Sequence, residues 1–140
     1  MNFFKLRILT AERAYFDGDC ESLVIPTLTG QVGIQAGHSP MIASVIPGML
    51  LYREHGGNEL LPVAVSHGIC KCEGNEVTIL VDSALGHNEI DPHRAKAAAE
   101  KAREDLAHQS SMREYYSAKA DLARAMGRLR VSSKKPVPKR

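Results

Sequence analysis

Between Phe3 and Ser83 the chain never runs far without a turn-forming residue. Glycine, proline or asparagine recurs at Asp17-Gly18, Gly30, Gly37 to Pro40, Pro47-Gly48, Gly56 to Asn58, Gly68 and Gly74-Asn75, a spacing of roughly ten residues that leaves room for strands and none for helices. The runs between these points suit strands. Phe4, Leu6 and Ile8 alternate with Lys5 and Arg7, and apolar stretches follow at Cys20 to Ile25, Met41 to Ile46, Met49 to Arg53, Leu60 to Val65, Ile69 to Cys72 and Val77 to Val81. Asp17-Gly18 is expected to be a tight turn between the first two strands. No helical crossover separates the runs, so the spacing over residues 1–85 argues for an antiparallel β-sandwich or flattened barrel, and the expectation is a β-sandwich of about ten short strands.

The pattern changes after Ala84. Asp91 is a good helix N-cap and Pro92 sits where its missing N–H costs nothing, so a helix is expected from there, with Ala95, Ala98, Ala102 and Leu106 on one face. Ser111 and Glu114 form a capping-box pattern, and a second helix is expected from Met112 to about Val131 with Tyr115, Ala118, Leu122, Ala125, Met126 and Leu129 as its apolar stripe. Residues 86–131 thus read as a C-terminal α-helical hairpin. The last nine residues, 132–140, carry Pro136, Pro138 and four basic residues, and read as a disordered tail. An alanine stripe buries little area compared with the ~1.5–3 kcal/mol of a buried Leu, and Gly127 removes roughly 1 kcal/mol more from the second helix. A mobile arm and a permanently docked hairpin both fit.

Charge divides the chain at the same place. Residues 1–90 hold five Lys or Arg against ten Asp or Glu, a net of −5, while residues 91–140 hold thirteen against six, a net of +7, giving +2 in total. A basic hairpin can seek nucleic acid, anionic lipid, an acidic protein surface or the acidic half of the same molecule. The interleaved Glu100, Glu104, Asp105 and Asp121 argue against nucleic acid. No stretch is long and apolar enough to cross a bilayer, and the first ten residues lack the apolar region of a signal peptide. Three cysteines form no disulfide framework, and Cys70 with Cys72 reads as core packing rather than half a metal site.

Phosphate-loop, nucleophile-elbow and HExxH motifs are missing, so no enzyme is expected. His38 beside Ser39 lacks an orienting acid and reads as a turn. Arg124 and Arg128, one helical turn apart, together with Asp91 and Arg94 at the start of the first helix, form a basic pocket if the hairpin closes. Guanidinium forks and a helix N-terminus suit phosphate; the alternative is a solvated face with Arg124 paired to Asp121.

The segment Gly30-Gln-Val-Gly-Ile-Gln-Ala-Gly-His-Ser-Pro-Met-Ile42, then Pro47-Gly48 and Ile90-Asp91-Pro92-His93-Arg94-Ala95, resembles the epsilon subunits of bacterial F-type ATP synthases. The likeness runs from Phe3 to about Val131. It implies a sandwich that binds the gamma subunit and the c-ring, coupling the rotor during proton-driven ATP synthesis without catalysing, on the cytoplasmic face of the bacterial inner membrane. The resemblance assigns c-ring contact to Gln31, Gly33 and His38, with Gln31 standing where an acidic residue is common and His67 where a glycine is usual. It implies a hairpin that extends toward the alpha and beta subunits and inhibits ATP hydrolysis, with beta contact falling to Arg113, Lys119, Arg124, Arg128 and Arg130. Some family members bind ATP as a regulatory ligand on the folded hairpin, which points to Asp91, Arg94, Arg124 and Arg128; Leu85 and Lys101 depart from that pattern. No cofactor is required.

Overall fold

A computed structural model describes residues 2–108, 112–134 and 137–138. Nine strands come first: β1 (Phe4–Leu9), β2 (Ala14–Thr27), β3 (Gly30–Gln35), β4 (Met41–Val45), β5 (Gly48–Glu54), β6 (Glu59–Val65), β7 (Gly68–Glu73), β8 (Glu76–Val81) and β9 (Ala84–Gly86). A 3-10 turn at His87–Glu89 leads to α1 (Pro92–Ala107) and α2 (Met112–Ser133), and a two-residue strand β10 lies at Val137–Pro138.

The strands form one sheet folded over on itself, with β2 as the fold line. Its first half pairs with β1, and its second half pairs with β3 and β5, with a register break between Cys20 and Ser22. One layer is therefore β4-β7-β8-β1-β2, and the other continues through β2, β5 and β6 to β9 and β10. Leu6, Ile8, Cys70, Val77 and Ile79 from the first layer meet Leu23, Ile25, Ile34, Leu50 and Val63 from the second in a shared core. The expected β-sandwich is the fold, and the alternation read in β1 is observed, with Phe4, Leu6 and Ile8 buried.

Four expectations need correction. Asp17-Gly18 is no turn: it lies inside the 14-residue β2, with Asp17 opposite Arg7 and Gly18 opposite Leu6. The reversal occurs earlier, where the Thr10 hydroxyl accepts from the Glu12 and Arg13 amides. Gly18 leaves space instead for the Phe16 ring, 3.2 Å from where a Cβ would stand. The sheet is not wholly antiparallel either, since β1 and β8 run parallel. They are joined through β2 to β7, a path that passes through β5 and β6 of the second layer and serves as the crossover that a helix usually supplies.

The third correction concerns α1, whose buried face is Ala95, Ala99 and Ala102; Ala98 is exposed. Steps of three and four both keep a helix face, and alanine at both 98 and 99 leaves the choice to the neighbouring helix. In α2 the buried positions are Ala118, Ala125, Gly127, Val131 and Ser132, and Tyr115 is exposed. The fourth is the tail: α2 runs to Ser133, and Val137–Pro138 pairs with Glu59 and Leu60 on the edge of β6. A valine before proline favours extended backbone, and a proline is tolerated on a sheet edge. The capping residue expected at Ser111 lies outside the described residues, as do 135–136 and 139–140.

The hairpin is docked in this structure. α1 packs chiefly on α2, and α2 lies across β5 and β6 and touches β9 and the 3-10 turn. β6 is consequently buried on both faces from Pro62 to Val65. Gly127 makes the closest approach: a Cβ there would stand 2.9 Å from the Gly48 Cα and 3.0 Å from its carbonyl carbon. The glycine that weakens the helix is thus the one that lets its backbone reach the sheet.

Candidate functional site

The start of α1 is fixed by its own sequence. The Asp91 carboxylate accepts from the His93 amide at 2.9 Å and the Arg94 amide at 3.4 Å, with Pro92 in the first turn. That cap sets Arg94 in the first turn, at the mouth of a cavity between the helices. Arg124 and Arg128 enter from α2, and the cavity, about 540 Å³, is lined by Leu85, Ile90, Asp91, Arg94, Ala98, Lys101, Arg124 and Arg128 among others. The four residues singled out from the sequence therefore share one cavity, and Ala95, Ala102 and Ala125 form part of its wall. Small side chains serve twice here: they let the helices approach, and they leave the volume between them.

The cavity wall also carries Glu89, Asp91, Asp105 and Asp121, so four cations face four carboxylates. Three of those carboxylates are engaged. Asp91 caps α1, Glu89 pairs with Arg13 at 2.8 Å, and Asp121 pairs with Arg124 at 2.9 Å, the intrahelical pairing foreseen from the sequence. Arg128 is half-buried and donates to the Ser83 hydroxyl at 3.4 Å. Burial, and then the neighbouring Arg124, push its guanidinium down from its ordinary value. An anion placed here would lower both costs. Nothing in the lining couples a nucleophile to a base, so the arrangement suits holding a ligand rather than transforming it.

The other candidates divide by position. Gln31 and Gly33 lie on β3 and His38 in the turn after it. Gly33 and His38 line a second groove of about 460 Å³ with Ser22 to Val24, while Gln31 falls outside it. His38 Nδ1 bonds the Ser39 carbonyl at 2.7 Å; a carbonyl only accepts, so that nitrogen is the donor. The five cations expected to meet a beta subunit do not share one face of α2. At about 100° per residue, Arg113, Arg124 and Arg128 fall on one side and Lys119 and Arg130 on the other. Cys70 and Cys72 are both buried on the core face of β7.

Some contacts carried no sequence signal. His87 Nδ1 bonds the Val131 carbonyl at 3.0 Å, Arg128 reaches Ser83, and Arg13 reaches both Ala84 and Glu89. Each links residues more than forty positions apart, where no local spacing can announce a partner.

Against known proteins, residues 3–87 match the family described as ATP synthase, Delta/Epsilon chain, beta-sandwich domain, and residues 88–133 match ATP synthase, Delta/Epsilon chain, long alpha-helix domain. The chain belongs to the ATP synthase delta/epsilon family. An ATP synthase epsilon chain from Ruminococcus albus is 38% identical over 136 residues, covering 96% of this chain and 100% of that protein. One from Ruminiclostridium cellulolyticum is 36% identical, covering 96% and 99%. The fold recurs in the Euglena gracilis mitochondrial ATP synthase (OSCP/F1/c-ring in rotational state 1), with a TM-score of 0.79 at 20% identity, covering 91% of this chain and 79% of that one. It recurs also in the Tetrahymena thermophila mitochondrial ATP synthase (central stalk/c-ring), with 0.64 at 16%, covering 92% and 96%.

Membership makes this chain a noncatalytic subunit. No helix among the described residues is long and apolar enough to cross a membrane. The family division after residue 87 falls inside the 3-10 turn, between the last sheet residue Gly86 and the cap of α1.

Proposed function

We propose that this chain is the epsilon subunit in the central stalk of a bacterial F-type ATP synthase, peripheral to the cytoplasmic face of the inner membrane. Its sandwich joins gamma to the c-ring during proton-driven synthesis. Its hairpin inhibits ATP hydrolysis by leaving the sandwich and extending toward the alpha and beta subunits.

The observation that carries the regulatory half is the manner of docking. α1 depends chiefly on α2, whose buried positions are Ala118, Ala125, Gly127, Val131 and Ser132, with Gly127 set against the Gly48 backbone of the sheet. Such a contact is held by a few kcal/mol, a difference that competing contacts elsewhere can match. The coupling half draws on the outer face of the first layer, where Ile42, Ile69 and Leu80 are exposed. The strand registers set Ser44, Ile69, Leu80 and Leu9 in one row, with Lys71 and Arg7 in the next. That apolar row is the surface assigned to gamma, and the β3 end with Gln31, Gly33 and His38 to the c-ring.

The cavity is assigned to ATP. Its wall draws on β9, α1 and α2 together, so a ligand there favours the docked arm, by ~2.7 kcal/mol at a hundredfold excess over Kd. Calorimetry on the full chain should detect ATP binding. Arg94→Ala or Arg128→Ala should weaken it about 10- to 100-fold, as expected for a lost charged hydrogen bond. No heat at millimolar ATP with a folded hairpin would remove ATP from the proposal. Deleting residues from Asp91 onward should leave assembly and proton coupling intact while raising ATP hydrolysis; failure to assemble would contradict the division of labour.

A further inference from the structure

The linker between sandwich and hairpin is bonded differently at its two ends. Its first part belongs to the sheet: Ala84, Leu85 and Gly86 pair with Val65, Ala64 and Val63 of β6. Arg13, from the turn between β1 and β2, then clasps it. One Arg13 nitrogen donates to the Ala84 carbonyl at 2.8 Å and meets the Glu89 carboxylate at 2.8 and 3.0 Å. The same carboxylate accepts from the Gly86 amide at 2.9 Å, closing a ring of bonds from Ala84 to Glu89. The Arg13 guanidinium rests 5.3 Å from the Tyr15 ring centroid, and the Tyr15 hydroxyl lies where a side chain at position 86 would project.

Beyond Glu89 the bonding changes owner. Ile90 is extended, and Asp91 spends its side chain and carbonyl on the amides of His93, Arg94 and Ala95 within α1. Ile90 and Asp91 are therefore the junction between two separately bonded bodies. Across that junction His87, on the sheet side, bonds the Val131 carbonyl in the last turn of α2. Besides His87, the Val131 carbonyl accepts a longer 3.3 Å bond from the Lys134 amide, and carbonyls in a last helical turn carry partial negative charge, so a donor is well placed. At 3.0 Å this bond is better formed than Arg128 to Ser83 at 3.4 Å.

We infer that Ala84–Glu89 is a fixed collar held on the sandwich by Arg13, that the arm turns at Ile90-Asp91, and that His87 is the latch by which the collar holds the end of α2. The inference rests on the hairpin release proposed above. It makes Arg13 and His87 positioning residues, one keeping the hinge short and the other setting how readily the arm leaves.

Amide hydrogen exchange on the isolated full chain tests both parts. In the wild type, the amides of Ala84 to Gly86 should exchange in the slow class of β1 and β8, and those of α1 and α2 in a faster class. Exchange of the collar together with the helices would overturn the fixed collar. Arg13→Ala should move the Gly86 amide into a faster class; an unchanged Gly86 overturns the clasp. His87→Ala should speed the last turn of α2 by about tenfold while the collar stays slow, and His87→Asn, whose amide N–H takes the place of Nδ1, should restore it to within about twofold. An alanine variant without effect, or an asparagine variant that behaves like alanine, overturns the latch. Slow β1 and β8 amides report an intact sandwich in every variant. All readouts come from the isolated chain, so a hairpin without effect on ATP hydrolysis would sink the inhibitory reading and leave this one standing.

Discussion

Cys20 and Cys70 lie wholly inside the sandwich, and burial pushes their thiols up from the ordinary 9.0 to about 11 and about 12. The folded chain therefore keeps protons that the unfolded chain gives up. Below pH 9 both states hold them and the full stability is present; as pH rises through about 11 and then about 12 that contribution is lost. Tyr52, also raised by burial, acts in the same direction. Urea unfolding midpoints should accordingly fall steeply above pH 9, and Cys70→Ala should flatten that slope even where it lowers the midpoint itself. An unchanged slope would mean the thiols are not the source. Single residues were unevenly legible in the sequence: Asp91 announced its cap through the proline beside it, while Arg13 and His87 gave no sign of partners more than forty residues away.

At the scale of elements, α2 carries opposing demands at one position. Gly127 costs the helix roughly 1 kcal/mol relative to alanine, yet a Cβ there would press on the Gly48 backbone at 2.9 to 3.1 Å, which cannot yield as a side chain would. Gly127→Ala should strengthen α2 as a helix and weaken its docking at once. Circular dichroism should show equal or greater helicity while the amides of α2 exchange faster; slower exchange would show that the sheet accommodates the methyl group. This also marks how far pattern reading reaches. Strand and helix positions followed from local alternation and capping, and the shared helix face of Arg124 and Arg128 from their spacing. The convergence of Arg94 upon them needed the hairpin to close, and the glycine that permits closure read only as a weakness. The long β2 was misread because Asp17-Gly18 has turn chemistry, and its cross-strand partners Arg7 and Leu6 override it.

For the molecule as a whole, two bodies of unequal strength share one chain. The sandwich holds a core of Leu, Ile, Val, Phe and Tyr, and the hairpin rests on alanines. Thermal unfolding of the isolated chain should lose helical signal first and the sandwich later, in two transitions rather than one; a single cooperative transition would mean the docking is stronger than its side chains suggest. The parallel pairing of β1 with β8 adds an order in time. Lys5 lies opposite Glu76 and Leu9 opposite Leu80, so β1 waits for nearly all of the sandwich to be made before one of its edges is covered. The arm is translated after the sandwich. By the time its helices emerge, the surface they settle on has had every chance to close, and the arm meets a finished support.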